Sequence, residues 1–519
     1  MSSSGFTLSR RELIALFGAS AATLGSSAAW AQQQTLQALI QTSLGEGQQF
    51  SIGAVSELAR QLAKKPFIQI PRDLLDAFAN LNYEQYARIR SEPSSFIWAN
   101  DNKGFAVEPL HRGFLFSNPV QIFTVEDGIV RQIAYDRKRF DFGGNEVPET
   151  IPDINYSGFR LYNSENGQFS EFAIIQGATF FQAIARGQSY GTTARALTLK
   201  PAETRGEEFP AFRAFWLERP TAGSNALVAN GLIDSESVTG SVRLTFRPGD
   251  MTIVDVETTL FPRVNLEHVG IGSMGSRFLF GPLDPGRFDD LREAVHDASG
   301  LQILNGQEEW LWRPLKNPVA LQISQFIDNS PKGFGLIQRD RSYSAFLDDE
   351  RHFERRPSLW IEPLESWGEG VVQMLEIPSD SEINSNILTY WRPKAPLAAG
   401  SEASFVYRQY WCWTPPEKPP LAVVTSNRIG KGAGGKRRRF LIEFTGDDLV
   451  APLLSELQPV ISARPGTISY TKMWTYPERK VVRVAFDLDP GSENASELRL
   501  VLNAGEKPAS ETWLYRWTS

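Results

Sequence analysis

The 519-residue chain has very little cysteine and histidine. Cys412 is the only cysteine, so no disulfide bond forms within the chain. Metal ligands in structural zinc sites follow short, regular spacings, and the histidines show none. These absences argue against a disulfide framework and against a metal site, and nothing in the sequence indicates a cofactor. The four scattered histidines are His111, His268, His296 and His352.

A basic excess and long apolar runs are absent as well. The net charge is −7, whereas a nucleic-acid binder is expected to carry a basic surface, so we predict no nucleic-acid partner. A membrane-spanning helix needs about 20 consecutive apolar residues, and no run of that length occurs. The chain is 41 % hydrophobic and 22 % charged, as is usual for a globular protein. We therefore predict a folded protein that does not span the membrane.

The N-terminal 31 residues have the three parts of an export signal. Arg10 and Arg11 precede an apolar run over 13–24, and Ala29-Trp30-Ala31 supplies a small-residue cleavage site. An apolar run of this length is too short to cross a bilayer. The paired arginines resemble a twin-arginine signal, which predicts export to the periplasm of a Gram-negative bacterium by that route.

Residues 32–413 are predicted to form a large antiparallel β-sandwich. Apolar residues at helical spacing predict short helices over 55–65 and 71–90. From His111 onward, apolar and polar residues alternate between turn residues, which is typical of strands. One clear hairpin is predicted from Val242 to Phe261, with its turn at 248–250. The overall fold class is therefore all-β.

Residues 414–420 contain four prolines and predict a stiff linker before a second domain. The number and spacing of strands over 421–519 fit a seven-stranded immunoglobulin-like sandwich without its disulfide. A basic run over 436–439 follows a glycine-rich segment. This run is either a solvated hairpin or a site for an anionic partner.

The stretch over 354–393 contains the most aromatic and charged residues suited to a ligand. Aromatic rings cover the apolar face of a sugar, and planar charged groups bond its hydroxyls. The alternative is that the tryptophans fill a sandwich core and that the arginines pair with surface acids. This stretch contains Trp360, Trp367, Trp391, Arg355 and Arg356.

Several long blocks lie in order along the chain, at 177–181, 187–195, 207–220, 295–301, 309–314, 333–339, 356–360 and 510–513. Together they resemble the osmoregulated periplasmic glucan biosynthesis proteins G and D. The resemblance covers nearly the whole chain after the signal. It implies a large β-sandwich with a long cleft, joined to a small immunoglobulin-like domain. It also implies a role in making β-1,2-linked glucans, alongside an inner-membrane glucan synthase.

Some members of this family resemble inverting β-1,2-glucanases or transglycosylases with two catalytic aspartates. The resemblance places the first at Asp297, in the segment His296-Asp297-Ala298-Ser299-Gly300-Leu301. The second position falls at Ser385, within Asn384-Ser385-Asn386. Inversion needs one carboxyl group as acid and another as base, and a serine hydroxyl performs neither task near neutral pH. Glu382 is a substitute only if its loop turns it inward.

Three functions remain open at this point. The first is an enzyme that trims or closes the glucan with Asp297 and Glu382. The second is a glucan-binding protein that has lost hydrolysis, and the third is a scaffold for the synthase. For the tryptophans, core packing is the alternative to ligand contact, and Arg356 has Glu354 and Glu362 as alternative partners. The predicted substrate-binding residues are Tyr190, Arg195, Trp312, Arg356, Trp360, Asn386 and Trp391.

Overall fold

The computed structural model of the chain describes residue 36 and residues 38–519, apart from 71–72, 166, 205 and 284–287. The predicted signal peptide lies outside these residues. Within them, most of the chain is β-strand, as the sequence predicts.

Helices lie mainly before the strands. Residues 38–44 are helical, followed by α1 (Ala54–Ala63), α2 (Asp76–Ala79) and α3 (Tyr83–Ala87). Helix α1 confirms the helix predicted over 55–65. Its apolar residues recur at the spacing of one helix face, and that face packs against the larger sheet. The buried residues of α1 are Val55, Leu58, Ala59 and Leu62.

Twenty-five strands precede the proline-rich segment in the described part of the chain. They are β1 (Arg90–Ser91), β2 (Phe105–Leu110), β3 (Gln121–Glu126), β4 (Ile129–Gln132), β5 (Phe140–Asp141), β6 (Gly158–Glu165), β7 (Gln168–Gln176), β8 (Phe180–Ala183), β9 (Thr193–Arg195), β10 (Thr198–Leu199), β11 (Ala211–Glu218), β12 (Leu227–Asp234), β13 (Val238–Arg247), β14 (Thr252–Pro262), β15 (Val269–Ser276), β16 (Phe278–Phe280), β17 (Val295–His296), β18 (Gly300–Leu304), β19 (Trp310–Pro314), β20 (Gln322–Asn329), β21 (Gly333–Ile337), β22 (Ser358–Pro363), β23 (Glu369–Glu376), β24 (Ile387–Pro393) and β25 (Ala403–Cys412).

The remaining elements follow the proline-rich segment. They are β26 (Val423–Lys431), β27 (Arg438–Thr445), α4 (Ala451–Leu454), β28 (Leu457–Arg464), β29 (Thr467–Tyr476), β30 (Val481–Asp489), β31 (Ala495–Ala504), β32 (Lys507–Pro508) and β33 (Thr512–Thr518).

Two large sheets form the main sandwich. The ten-stranded sheet has the order β2-β6-β7-β8-β9-β15-β24-β23-β20, with β10 paired to β15. The fifteen-stranded sheet has the order β28-β31-β33-β19-β18-β21-β22-β25-β14-β13-β12-β11-β3-β4, with β32 paired to β31. Apolar side chains from both sheets meet in one core, including Phe159 and Met274 from the first and Leu244 and Val256 from the second. This arrangement confirms the predicted all-β sandwich.

The predicted hairpin is confirmed. Strands β13 and β14 pair antiparallel from Val238↔Pro262 to Arg247↔Ile253, and 248–251 form the connection. Alternate residues of β13 are buried, because one face of the strand lies against the core while the other is partly exposed.

The region after the proline-rich segment is built from two sheets. One contains β26-β27-β30-β29, and the other is the end of the fifteen-stranded sheet. The two parts of that larger sheet are joined by a parallel pairing of β19 with β33, Leu311↔Thr512 and Trp312↔Trp513. Strand pairing therefore crosses the predicted domain boundary at 414–420, which itself lies in an irregular segment.

A second core joins the two sandwiches. Phe440 and Phe486 of the smaller sheet share it with Trp312 and Trp360 of the main sandwich. Beside this core, the carboxylate of Glu511 has no exposed surface. It accepts hydrogen bonds from Arg339 at 2.6 and 2.9 Å, from Gln302 at 3.2 Å and from the backbone N–H of Val424 at 2.7 Å. Glu511 thus bonds residues on both sides of the linker.

Candidate functional site

Some of the predicted site residues, among them Tyr190 and Asp297, lie at the outer face of the ten-stranded sheet. Residues Phe159 and Leu161 of β6 lie in the core, so the alternate residues Arg160 and Tyr162 point away from it. We call this side the outer face. On β8, Gln182 takes the same orientation and donates to the carbonyl of Gly191 at 2.9 Å and to Thr193 Oγ1 at 2.8 Å. These bonds attach the segment containing Tyr190 and Gly191 to the outer face.

Asp297 directly follows β17 and lies next to Gly191 of this segment and next to Arg277, the residue after β15. Its backbone N–H donates to the carbonyl of Arg277 at 3.0 Å, and its side chain has no exposed surface. The Arg277 guanidinium donates to both carboxylate oxygens, at 2.7 and 3.3 Å, and Nε of Arg356 lies 3.5 Å from Oδ1. We call these three residues the Asp297 centre. Two arginines therefore surround one buried carboxylate.

Gly191 packs directly against Arg356 and Asp297 of the Asp297 centre. A Cβ at this position would lie 2.7 Å from Cδ of Arg356 and 3.1 Å from Cγ of Asp297. Because real Cβ contacts are rarely this close, a larger residue requires Arg356 to move. The close approach of Gly191 excludes solvent from the carboxylate.

The second predicted catalytic position lies beside the first. Ser385 is exposed, and its Oγ donates to the carbonyl of Ser276 at 3.2 Å. Asn386 is buried, and its side chain bonds the backbone N–H and carbonyl of Phe278 at 2.8 and 2.9 Å. Ser385, Asp297 and Asn386 are thus attached to the consecutive residues 276–278. The position carrying Ser385 has a hydroxyl where the family resemblance predicts a carboxylate.

Glu382 is engaged in ion pairs. Its carboxylate lies 2.7 Å from Arg292 and 3.6 Å from Arg351, and about a quarter of the side chain is exposed. Arg292 also pairs with Asp290 and Asp348, and hydrogen bonds to these carboxylates, first to Asp290, raise its pKa. Glu382 therefore belongs to a cluster of charges at the protein surface.

Arg277 lies within the electrostatic field of two carboxylates. Asp297 makes the largest contribution to its raised pKa, and Glu382 contributes in the same direction. About a quarter of the Arg277 side chain is exposed, which makes it the most exposed of the three side chains of the Asp297 centre. No motif in the sequence identifies Arg277, and we did not predict it.

His296 is packed into the protein rather than presented to a ligand. Its ring stacks on Phe278 at 5.1 Å between centroids, and its Nδ1 lies 3.2 Å from the amide of Gln338. Burial lowers the pKa of His296 to about 4. The imidazole is therefore neutral near neutral pH, and its role is to position the chain before Asp297.

A second set of polar residues lies next to the Asp297 centre. The hydroxyl of Tyr190 donates to Glu171 at 2.9 Å, and Nε of Arg160 lies 3.4 Å from the same carboxylate. Arg160 also lies 3.4 Å from Glu108, which accepts a 2.6 Å bond from Tyr162. We call these five residues the Tyr190 cluster. Only Tyr190 was predicted, since the others carry no motif beyond strand alternation.

The Tyr190 cluster contains one arginine between two carboxylates. Burial raises the pKa of Glu171, Arg160 lowers it in part, and the Glu108 charge raises it further. Burial also raises the pKa of Tyr190 well above its ordinary value, so its hydroxyl stays protonated and donates. Glu171 is consequently a carboxyl group that binds a proton more readily than an exposed one.

Arg195 and the three predicted tryptophans belong to neither the Asp297 centre nor the Tyr190 cluster. Arg195 pairs with Glu207, and its guanidinium lies 4.9 Å from the centre of the Phe180 ring. The three predicted tryptophans are packed in the cores, which favours the alternative that they fill the sandwich, because no ring face is open to a ligand. Their exposed fractions are 2 % for Trp312, 1 % for Trp360 and 0 % for Trp391.

Three further observations concern metal ligands, membrane-spanning helices and a cavity. Among the described residues, no group of three or more His, Cys, Asp or Glu side chains is placed to hold a metal ion, and no helix has the length and apolar character to cross a bilayer. A polar cavity of about 670 Å³ is lined by residues of 94–101, 126–139 and Arg219.

Known proteins resemble the chain over most of its length. Residues 50–517 match the family described as "Periplasmic glucan biosynthesis protein, MdoG". The "Glucans biosynthesis protein G" of Rhodopseudomonas palustris (strain BisA53) is 43 % identical over 471 residues, which cover 90 % of this chain and 93 % of the relative. The chain belongs to this family. Other members named "Glucans biosynthesis protein G" are 43 % identical in Shewanella sp. (strain ANA-3) and 41 % identical in Vibrio cholerae (strain M66-2). In both comparisons the aligned residues cover 90 % of this chain and 87 % of the relative.

Proposed function

We propose that this protein acts in periplasmic glucan biosynthesis by holding a β-1,2-glucan chain on the outer face of the ten-stranded sheet. The observation that carries the proposal is the Asp297 centre, in which a fully buried carboxylate is covered by Gly191 and surrounded by two arginines. A carboxylate in this state anchors Arg277 and does not contact a substrate. The partly exposed Arg277 side chain then donates its remaining guanidinium N–H groups to sugar hydroxyls.

The Tyr190 cluster extends the same binding surface. Its carboxylates accept hydrogen bonds from sugar hydroxyls, and Arg160 and Tyr162 donate to sugar oxygens. Tyr190 and Gly191 are adjacent in the chain, so the cluster and the Asp297 centre are neighbours along the sheet. A chain molecule lying across both would meet an acidic region and then a basic one.

Hydrolysis by inversion has weak support. It needs a general acid and a general base on opposite sides of the scissile bond, and Ser385 is not a carboxyl group. Glu382, the substitute, is held by Arg292 and Arg351. Loss of general acid–base assistance typically lowers the rate by about 10²–10⁴-fold.

The second candidate is an active glucanase or transglycosylase using Asp297 and Glu382. One observation favours it, because both carboxylates raise the pKa of Arg277, Asp297 more than Glu382, and both therefore lie within electrostatic range of one guanidinium. In this reading, movement of Arg277 exposes Asp297 to the substrate. The third candidate is a scaffold for the glucan synthase without a bound glucan.

Turnover and affinity separate these functions. Purified protein is titrated with linear β-1,2-gluco-oligosaccharide by calorimetry and incubated with the same sugar to detect shorter or cyclic products. We expect binding without products. If the unchanged protein makes products and Glu382→Gln does not, the second candidate is established. If the protein neither binds the oligosaccharide nor makes products, the scaffold function is the remaining candidate.

The variant Ser385→Asp tests whether the rest of a hydrolytic site is intact. If only the second acid is missing, the variant gains turnover of roughly 10²-fold or more, whereas Ser401→Asp, on an exposed loop, gains none. If Ser385→Asp binds glucan but makes no product, the buried state of Asp297 is the reason and the binding function stands.

Export by the twin-arginine route is the corresponding proposal for location. The family description is periplasmic, and Arg10 and Arg11 precede the apolar run. Replacing both arginines with lysine should leave the protein in the cytoplasmic fraction. Normal periplasmic recovery of that variant would point to a different export route.

A further inference from the structure

The four-stranded sheet after the proline-rich segment has an outer face that no part of the glucan proposal uses. Phe440, Val484 and Phe486 of this sheet lie in the core, so the residues alternating with them face outward. The register places outward residues of β29 beside those of β30 and β27. We call this surface the basic–aromatic face, defined by Arg439, Tyr470, Lys472, Trp474, Tyr476 and Arg483.

Cations and aromatic rings alternate across the basic–aromatic face. The guanidinium of Arg439 lies 4.5 Å from the centre of the Tyr470 ring, and the ammonium of Lys472 lies 5.0 Å from that of Trp474. Arg483 and Arg479 lie 5.5 and 5.7 Å from the Tyr476 ring. Each ring is therefore in contact with a positive charge.

The acids on this face are already neutralised. Asp487 accepts two hydrogen bonds from Arg439, at 2.7 and 3.0 Å, and Glu443 accepts one from Arg483 at 2.6 Å. Lys472 and the flanking Arg428 and Arg479 are exposed and form no ion pair with any residue in the described part of the chain. Glu478, in the same turn as Arg479, is the nearest exposed acid in the sequence. The face keeps an excess of positive charge.

The charge of this region is opposite to that of the rest of the protein. Residues 421–519 contain 14 Lys and Arg against 11 Asp and Glu, which leaves 39 against 49 in residues 1–420. The run 436–439 contributes to the excess, although Arg437 and Arg439 pair with Asp489 and Asp487. A protein of net charge −7 thus has a locally basic end.

We propose that the basic–aromatic face binds the surface of an anionic phospholipid bilayer. Lys and Arg are attracted to anionic headgroups, and Trp and Tyr are favoured at the depth where headgroups meet acyl chains. A neutral glucan fits less well, because cations occupy ring faces on which a sugar would stack. The face would hold the protein at the membrane without a spanning segment. This inference goes beyond the glucan-binding function and does not depend on it.

Vesicle sedimentation tests the proposal with the full chain. The vesicles contain phosphatidylcholine alone or phosphatidylcholine with one-third phosphatidylglycerol, in 50 mM or 500 mM NaCl. We expect sedimentation with the anionic vesicles at low salt, and loss of most of it at high salt because the salt screens the charges. Equal sedimentation with neutral vesicles, or none with anionic vesicles, would overturn the proposal.

Charge reversal identifies the face. The double variant Lys472→Glu with Arg479→Glu should lower the partition coefficient by roughly thirtyfold or more, given the usual contribution of each basic residue near an anionic surface. The control Lys332→Glu with Lys507→Glu changes the net charge equally at exposed positions elsewhere and should lower it by less than about threefold. An equal loss in both variants would show that net charge, not this face, controls binding.

The variant Trp474→Ala separates lipid from sugar as the ligand. We expect it to weaken vesicle binding several-fold while leaving affinity for β-1,2-gluco-oligosaccharide unchanged. If it lowers affinity for the oligosaccharide and the protein ignores vesicles, the face is a sugar site and the proposal is wrong.

Discussion

The Asp297 centre and the Tyr190 cluster are neighbours on one sheet face and have opposite charge arrangements. In the first, two arginines surround one carboxylate that has no exposed surface. In the second, two carboxylates surround one arginine, and both Glu171 and Arg160 are partly exposed. The first therefore has a cation in excess and the second has an anion in excess.

The difference shows which groups are free to respond to a ligand. A buried carboxylate between two guanidiniums is needed to keep both of them in place, since an unpaired buried charge is strongly unfavourable. The spare carboxyl in the Tyr190 cluster has no such duty, and its raised pKa lets it exchange a proton. Glu171 is thus a carboxyl group with a raised pKa, whereas Asp297 is the buried anion that pairs with two arginines.

The largest expected effect comes from removing the central carboxylate. Asp297→Asn leaves Arg277 and Arg356 without their anion and should lower the free energy of unfolding by about 3–5 kcal/mol. Denaturant titration measures it. The matched change Asp250→Asn breaks an ion pair whose two side chains are mostly exposed, and should cost under about 0.5 kcal/mol. If Asp297→Asn is as stable as the unchanged protein, Asp297 does not hold the two arginines in place.

A smaller effect is expected when the cover over the centre is enlarged. Gly191→Ala places a methyl group 2.7 Å from Cδ of Arg356, so the guanidinium must move and the protein should lose about 1–3 kcal/mol. Affinity for β-1,2-gluco-oligosaccharide should fall with it. Gly430→Ala is the control, because its added methyl meets nothing within 4 Å. Equal stability of the two variants would mean that Arg356 is mobile.

The smallest effect concerns the pH dependence of the Tyr190 cluster. Because the folded protein raises the pKa of Glu171 above 4.5, the folded state holds this proton more tightly than the unfolded state. Stability from this group is therefore present at low pH and is lost as pH rises from about 4.5 through the raised pKa. Glu171→Gln should remove a slope of less than about 1.4 kcal/mol per pH unit.

The pH experiment includes a matched control variant and has a result that would contradict the prediction. Denaturant titrations at several pH values between 4 and 8 compare the unchanged protein, Glu171→Gln and Glu417→Gln, the last at an exposed residue of the proline-rich segment. The Glu417 variant should follow the unchanged protein. If the stability of Glu171→Gln has the same pH dependence as that of the unchanged protein, burial does not raise the pKa of Glu171. The Asp297 centre and the Tyr190 cluster would then not differ in this respect.

Local patterns in the sequence predict much of the fold. Alternation identifies the hairpin of β13 and β14, and apolar spacing identifies α1, because both depend on residues close in the chain. The parallel pairing of Trp312 with Trp513 joins residues about 200 positions apart, and no local pattern encodes it. The sequence therefore predicts two sandwiches but not the sheet that they share.

The site was predictable only where a motif exists. The family resemblance selects Asp297 and Ser385, and both attach to residues 276–278. It does not show that Asp297 is buried, because that depends on Arg277, Arg356 and Gly191 arriving from three separate segments. The aromatic residues of 354–393 were ambiguous for a related reason, since burial is decided by the facing sheet and not by composition.

Glu511 has a mechanical consequence for the whole molecule. By bonding Arg339 and Gln302 of one sandwich and the backbone of Val424 in the other, it removes a hinge where the proline-rich segment alone would allow one. The two sandwiches then move as one rigid unit. If the far end rests on a surface, the ten-stranded sheet is held at one fixed height and angle above it.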